Sequence, residues 1–219
     1  LKAIESLSAE TGFLDGRYMA LTFNLLRGRD LIWNYVVNNY LMGADYPAFD
    51  LLYWNGDTTN LPAKWHSAYL RDLYRDNKLV EPDALRIAGV PIDLTRIRTP
   101  AYIQAGREDH IAPAASVWKL TSHLRGPLRF ILAGSGHIAG VVNPPSSGKY
   151  QYWTNDQEAH SLEAFIAGAK ETAGSWWPDW REWIESHCRD TVPAKRARIP
   201  GKGKLKALED APGRYVRTR

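Results

Sequence analysis

Thr99-Pro100-Ala101-Tyr102-Ile103-Gln104-Ala105-Gly106, then Arg107-Glu108-Asp109-His110-Ile111-Ala112-Pro113, then Leu128-Arg129-Phe130-Ile131-Leu132-Ala133-Gly134-Ser135-Gly136-His137 decide how this chain folds. The first is a short apolar run opened by a proline and closed by a glycine, the composition of a buried strand in a parallel sheet. The second is a polar turn whose Pro113 suits the first position of a helix. Ala114, Val117, Trp118, Leu120, Thr121 and Leu124 recur at helical spacing until Gly126-Pro127 ends the pattern. Leu128 to Leu132 reads as a second strand, and the glycine-flanked His137 follows at once. Strand, helix, strand in that order is an α/β unit.

Adjacent parallel strands joined by a right-handed crossover bring their C-terminal ends to one edge of the sheet, where reactive groups of open α/β folds gather. Asp109 stands just past the first strand and His137 just past the second, so the spacing predicts that they meet. A histidine held by a carboxylate keeps one tautomer and takes a proton from a thiol or hydroxyl nucleophile. Spacing alone leaves a plainer reading open, a surface Asp on one loop and a structural His in a glycine turn.

Gly106 to Pro113 and Gly134-Ser135-Gly136-His137-Ile138-Ala139-Gly140-Val141-Val142-Asn143-Pro144-Pro145 resemble the acid and histidine motifs of class I poly(3-hydroxyalkanoate) synthases, bacterial enzymes of the α/β-hydrolase fold. The resemblance continues through Trp33-Asn34-Tyr35-Val36-Val37, Asp50-Leu51-Leu52-Tyr53-Trp54-Asn55-Gly56-Asp57, Asn60-Leu61-Pro62, Gly174-Ser175-Trp176-Trp177-Pro178-Asp179-Trp180 and Ala211-Pro212-Gly213-Arg214-Tyr215-Val216. It implies an α/β chain, an incomplete α/β-hydrolase fold with part of a helical cap and a basic C-terminal tail. Residues 1–48 would be part of the cap that covers the active site and contributes to dimerisation. Residues 49–190 would be the C-terminal part of the catalytic domain, and 191–219 the tail.

The implied activity is acyl transfer. The family condenses (R)-3-hydroxyacyl-CoA, here foremost 3-hydroxybutyryl-CoA, into polyester with release of coenzyme A and without a cofactor. His137 would activate a cysteine; Asp109 would orient His137 and assist deprotonation of the 3-hydroxyl during elongation. The implied partners are the acyl-CoA, the growing polyester chain, a second copy of the protein and the surface of a polymer granule, in the cytoplasm.

One departure stands against this agreement. The family places its nucleophile in a Gly-x-Cys-x-Gly elbow upstream of these motifs, and no such motif occurs here. The single cysteine, Cys188 in Glu185-Ser186-His187-Cys188-Arg189-Asp190, lacks the small neighbours that let a nucleophile project from a strained strand-to-helix turn. It is expected to be an incidental thiol on the last helix. The expectation is therefore a fragment of a longer synthase, inactive by itself. Leu1 in place of an initiator methionine, inside an amphipathic pattern, points the same way. A natural remnant that dimerises or binds granules without turnover, and a hydrolytic esterase or depolymerase, are the alternatives.

With 44% hydrophobic and 11% aromatic residues the chain is globular. One cysteine excludes an internal disulfide framework and fits a reducing compartment. No signal-peptide pattern is visible, and no apolar run approaches the roughly 18 residues that span a bilayer. The six histidines are scattered without His-x-x-x-His or paired-cysteine spacing, so no metal site is expected, and there is no phosphate-binding glycine loop. The net charge of +4 is unevenly spread: Thr191 to Arg219 holds nine Lys or Arg against Glu209 and Asp210, while residues 1–190 carry 19 basic and 22 acidic groups. A basic tail attracts nucleic acid, an anionic surface or the phosphates of coenzyme A. No nucleic-acid motif accompanies it, so no nucleic acid is expected as a partner.

Along the chain, Leu1 to Ser8 and Arg17 to Leu26 read as helical. Leu31 to Tyr40 carries Leu31, Ile32, Tyr35, Val36 and Tyr40, widened by Trp33 and Val37, a pattern that predicts a helix buried on most sides. Phe49 to Trp54 reads as a core strand whose C-terminal turn, Trp54-Asn55-Gly56-Asp57, places Trp54 and Asp57 at the substrate entrance or makes them a fold-stabilising turn. His66, on the following amphipathic helix, reads as a packing or surface residue. Leu85 to Leu94 reads as a short edge pairing. His110 supports Asp109, contacts substrate or simply holds the turn. Ala139, two residues past His137, leaves room beside the base, in keeping with short acyl side chains. Ser146 to Asn155 reads as a surface loop and Ser161 to Ala169 as a helix. Trp176, Trp177, Trp180 and Trp183 place four indoles within eight residues and are expected to pack at the start of the last helix.

Overall fold

A computed structural model describes residues 2–26, 28–46, 58–188, 190–193, 195, 199 and 201–214. Its contacts divide the chain into one unit of residues 1–99 with 123–125 and another of residues 100–122 with 126–219.

The first unit begins with α1 (Lys2–Ala9), β1 (Phe13–Leu14) and α2 (Gly16–Leu26). Gly16 opens α2 where no side chain fits, because a Cβ there would lie 2.7 Å from Thr58 Cβ. β1 pairs antiparallel with β2 (Leu61–Pro62), and Pro62 leads into α3 (Ala63–Tyr69). α3 packs against α1, where His66 is buried and the Ser67 hydroxyl donates to Glu5 Oε1 at 2.6 Å. His66 is thus a packing residue of this unit. β3 (Leu85–Ile87) and β4 (Val90–Ile92) form a hairpin through Ala88 and Gly89. Both turn residues have positive φ, 50° and 82°, the mirror-image turn that matches strand twist.

The expected buried helix at 31–40 is not what forms. Residues 29–41 wind through two π-type turns, Arg29–Trp33 and Val36–Leu41, and no residue of the second is buried. Trp33 is 62% and Tyr40 82% exposed. Apolar positions spread around the circumference offer surface without specifying what meets it, and the described residues of this unit leave Trp33 and Tyr40 uncovered. The asparagines are satisfied locally instead, Asn38 donating to Asn34 and Asn39 to the carbonyls of Ala44 and Asp45. The strand expected at Phe49 to Trp54 lies outside the described residues.

In the second unit the sequence pattern around Pro100 becomes β5 (Ala101–Gly106), α4 (Ala114–Trp118) with a tighter turn at Lys119–Ser122, and β6 (Leu128–Ala133). β5 and β6 pair in parallel, from Ala101 beside Leu128 to Gly106 beside Ala133. β7 (Gln151–Thr154) and β8 (Lys170–Ala173) extend the sheet antiparallel in the order β5-β6-β7-β8, with α5 (Leu162–Ala167) between them and α6 (Trp177–His187) last. The loop expected at Ser146 to Asn155 therefore contains a strand. Gln151-Tyr152-Trp153-Thr154 is too short to show an alternation, and its strand character comes from pairing with Ile131 to Ala133.

Both faces of this sheet are covered. On one, Phe130 meets Trp118 and Phe165 edge-on at 4.8 and 5.0 Å. On the other, Ile131, Ala133, Tyr152 and Trp176 form a buried cluster flanked by Tyr102 and Trp177. Burial of large apolar side chains of this kind stabilises by about 1.5–3 kcal/mol each. α6 is also tied by polarity: Asp179 accepts from the Tyr102 hydroxyl at 2.7 Å and from the Arg129 guanidinium. Cys188 lies exposed just past the end of α6 rather than on it. No helix among the described residues is long and apolar enough to cross a membrane.

Candidate active site

The parallel register that ends at Gly106 and Ala133 sets the following turns side by side. Arg107 N–H donates to Ala133 O at 2.8 Å and Glu108 N–H to Ser135 O at 3.2 Å, so the pairing continues beyond the strands. Such closeness needs glycine: a Cβ on Gly106 would sit 3.0 Å from Asp109 Cβ and 3.2 Å from Ser135 O. Ser135 adopts φ 82°, which a side-chain-bearing residue does only at a cost, and so turns the chain from β6 toward His137. Gly140 closes the next turn by donating to Gly136 O at 2.8 Å.

The contact that the spacing predicts is present. His137 Nδ1 lies 2.9 Å from Asp109 Oδ2, with the carboxylate side chain 8% and the imidazole 46% exposed. Asp109 Oδ1 accepts the N–H groups of Ile111 and Ala112 at 2.8 and 2.9 Å. Burial pushes this carboxyl up, but the hydrogen bonds from Ala112, His137 and Ile111 outweigh it and hold Asp109 below its ordinary value. An ionised Asp109 accepting at Oδ2 fixes the imidazole proton on Nδ1 and leaves Nε2 as the basic nitrogen. The chemistry available is proton abstraction at the exposed side of the ring.

A family model described as alpha/beta hydrolase fold matches residues 4–144. The chain belongs to the alpha/beta hydrolase fold family. Within that family it is similar to poly(3-hydroxyalkanoate) polymerases. The polymerase subunit PhaC of Rhizobium meliloti is 48% identical over 219 residues, covering 100% of this chain and 35% of its own length. PhaC of Cupriavidus necator is 47% identical over 96% of this chain and 36% of its own. The polymerase of Methylorubrum extorquens is 49% identical over 99% of this chain and 35% of its own. The chain thus spans about a third of the length of these curated relatives.

Of the site residues read from sequence, the structure brings Asp109 and His137 together. His110 is exposed on the turn directly after Asp109, and Ala139 is half-buried in the turn that His137 opens. Trp54 and Asp57 lie outside the described residues. Among the described residues, no group of three or more His, Cys, Asp or Glu is arranged to hold a metal ion. Sequence reasoning missed the two backbone donors on Asp109, although Asp followed by a short loop is the signature of such local bonding. It also missed that Trp176 and Trp177 donate their indole N–H groups to Gly140 O and Val141 O, at 2.8 and 3.0 Å. Indole density gave the helix position but no sign of these acceptors.

Proposed function

We propose that this chain supplies the acid and the base of a poly(3-hydroxyalkanoate) synthase, an acyltransferase that polymerises (R)-3-hydroxyacyl-CoA, foremost 3-hydroxybutyryl-CoA, with release of coenzyme A. The observation that carries the reading is the 2.9 Å contact of His137 Nδ1 with Asp109 Oδ2, in a chain 45–49% identical to several proteins named as such polymerases. His137 Nε2 removes the proton of a cysteine thiol that the remainder of the enzyme provides. The thiolate attacks the thioester carbonyl, the coenzyme A sulfur leaves, and the imidazolium returns the proton to it. In elongation the 3-hydroxyl of one acyl unit loses its proton to the pair as its oxygen attacks the next acyl thioester; the carbon–sulfur bond of that thioester breaks, and the departing sulfur takes the proton back from the imidazolium. In this reading His110, Ala139, Trp54 and Asp57 contribute to binding the substrate. Residues 1–48 belong to the cap, 49–190 to the catalytic domain and 191–219 to the tail, in a cytoplasmic, granule-bound homodimer.

The test is a chimera in which this chain replaces the matching third of the Cupriavidus necator polymerase. It should release coenzyme A from (R)-3-hydroxybutyryl-CoA and form polyester. His137→Ala should lower that rate by a factor of about 10²–10⁴, the usual contribution of a positioned base. Full activity of His137→Ala, or free 3-hydroxybutyrate in place of polymer, would overturn the proposal. The 219-residue chain alone should be inactive; coenzyme A release that survives Cys188→Ala would contradict this.

A further inference from the structure

We infer that Trp176 and Trp177 are positioning residues for His137, acting through the turn that carries it. The imidazole is nearly half exposed, so packing around the ring does not hold it, and its aim depends on its backbone and on Asp109. That backbone is gripped on both sides. Upstream, Ser135 O accepts from Glu108 N–H; downstream, the two indoles bind the consecutive carbonyls of Gly140 and Val141. Between these grips the turn closes on itself, Gly140 N–H to Gly136 O and Val142 N–H to Ile138 O, both at 2.8 Å. A Cβ on Gly140 would sit 2.7 Å from Gly136 O, which shows how little slack the turn has.

The grip is useful only if the indoles are themselves fixed, and they are. Trp176 is 8% exposed and stacks on Tyr102 with ring centroids 5.9 Å apart. Tyr102 in turn donates to Asp179, one turn into α6, and Asp179 also holds Arg129 of β6. A chain of contacts therefore runs from the sheet through α6 to the turn of His137. The two indoles differ in what their loss leaves behind. Gly140 is buried, so removing the Trp176 N–H strands a carbonyl without water, whereas Trp177 is half-buried and its acceptor is rehydrated more easily.

The inference rests on the reading of Asp109 and His137 as the working pair, and imidazole NMR separates the two. In the ¹⁵N-labelled 219-residue chain, a downfield Nδ1–H signal of His137, absent in Asp109→Ala, reports the pair. Trp176→Phe keeps the stacked ring and removes only the donor; it should speed exchange of that proton by about tenfold or more. Trp177→Phe should have the same effect to a smaller degree. An unchanged signal in folded Trp176→Phe overturns the inference while leaving the pair intact. If Trp176→Phe does not fold, Trp177→Phe decides in the same way. A wild-type chain without the signal would instead sink the pair, and the inference with it.

Discussion

Asp109 divides its acceptors, Oδ1 to two backbone N–H groups and Oδ2 to His137. Each bond favours the ionised form, which is why the carboxyl is held low although burial pushes it up. A carboxyl depressed by folding adds stability that is present above its unfolded value of about 3.9 and is lost as pH falls through the folded one. Asp109→Asn retains an oxygen for the backbone donors and gives up the charge. At neutral pH the variant should be destabilised by about 1–2 kcal/mol, the range for a hydrogen bond to a charged group partly open to water. Urea midpoints measured from pH 7 down to pH 2 should show that gap constant to about pH 4 and closing below. A gap independent of pH would mean that the charge is not what stabilises the turn. The pair was legible in the sequence because each member stands within four residues of the end of an apolar run, past a glycine. The N–H groups of Ile111 and Ala112 carry no side-chain signature, and only the folded turn shows them.

At the scale of elements, α6 decides how the second unit is closed. Proline at its second position and Asp179 in its first turn mark the start correctly, and of the helix's indoles Trp177 and Trp183 are half-buried while Trp180 is 41% exposed. Its partners were not legible, because Tyr102 and Arg129 are 77 and 50 residues away in sequence. Burial pushes Asp179 up, and the bonds from Arg129 and Tyr102 more than reverse it; for the Tyr102 hydroxyl, burial and the neighbouring carboxylate both push upward. The side chains of Asp179 and Arg129 are 12% and 31% exposed, so the pair is partly shielded from solvent. Asp179→Asn leaves Arg129 with Asp156 at 3.4 Å, itself 88% exposed. Removing one member of a buried pair costs about 3–5 kcal/mol, and partial exposure lowers this to about 2–3. Chemical denaturation at pH 7 should read that loss. At pH 3 it should shrink, since a depressed carboxyl gives its stability only above its unfolded value. β7 and β8 were missed for the same reason as those partners: four-residue strands are made by their neighbours, Ile131 to Ala133 for β7 and β7 for β8, and not by their own pattern.

Over the whole molecule, composition located the charge and apolar runs bounded by proline and glycine located the parallel pair, while the exposed helical turns at 29–41 show where apolar content misleads. Seven apolar residues between 31 and 40 predicted burial, yet burial requires a second surface, which no pattern within ten residues reports. The basic tail is a simpler case. Among the described residues, hydrogen bonds from Lys202 to Ile199, from Gly213 to Asp210 and between Arg214 and Glu209 run within the segment. β5 to β8 and α6 end before it begins. Deleting Thr191 to Arg219 should therefore leave the thermal transition of residues 1–190 within about 0.5 kcal/mol of the parent, the range of surface changes that touch no core. The same deletion removes nine basic and two acidic groups, so the isoelectric point should drop from about 9.1 to the acidic side and retention on a cation exchanger should vanish. A large loss of stability would show that the tail packs on the body through groups beyond these bonds; unchanged retention would show that the positively charged face held by the exchanger lies in residues 1–190 despite their excess of acid.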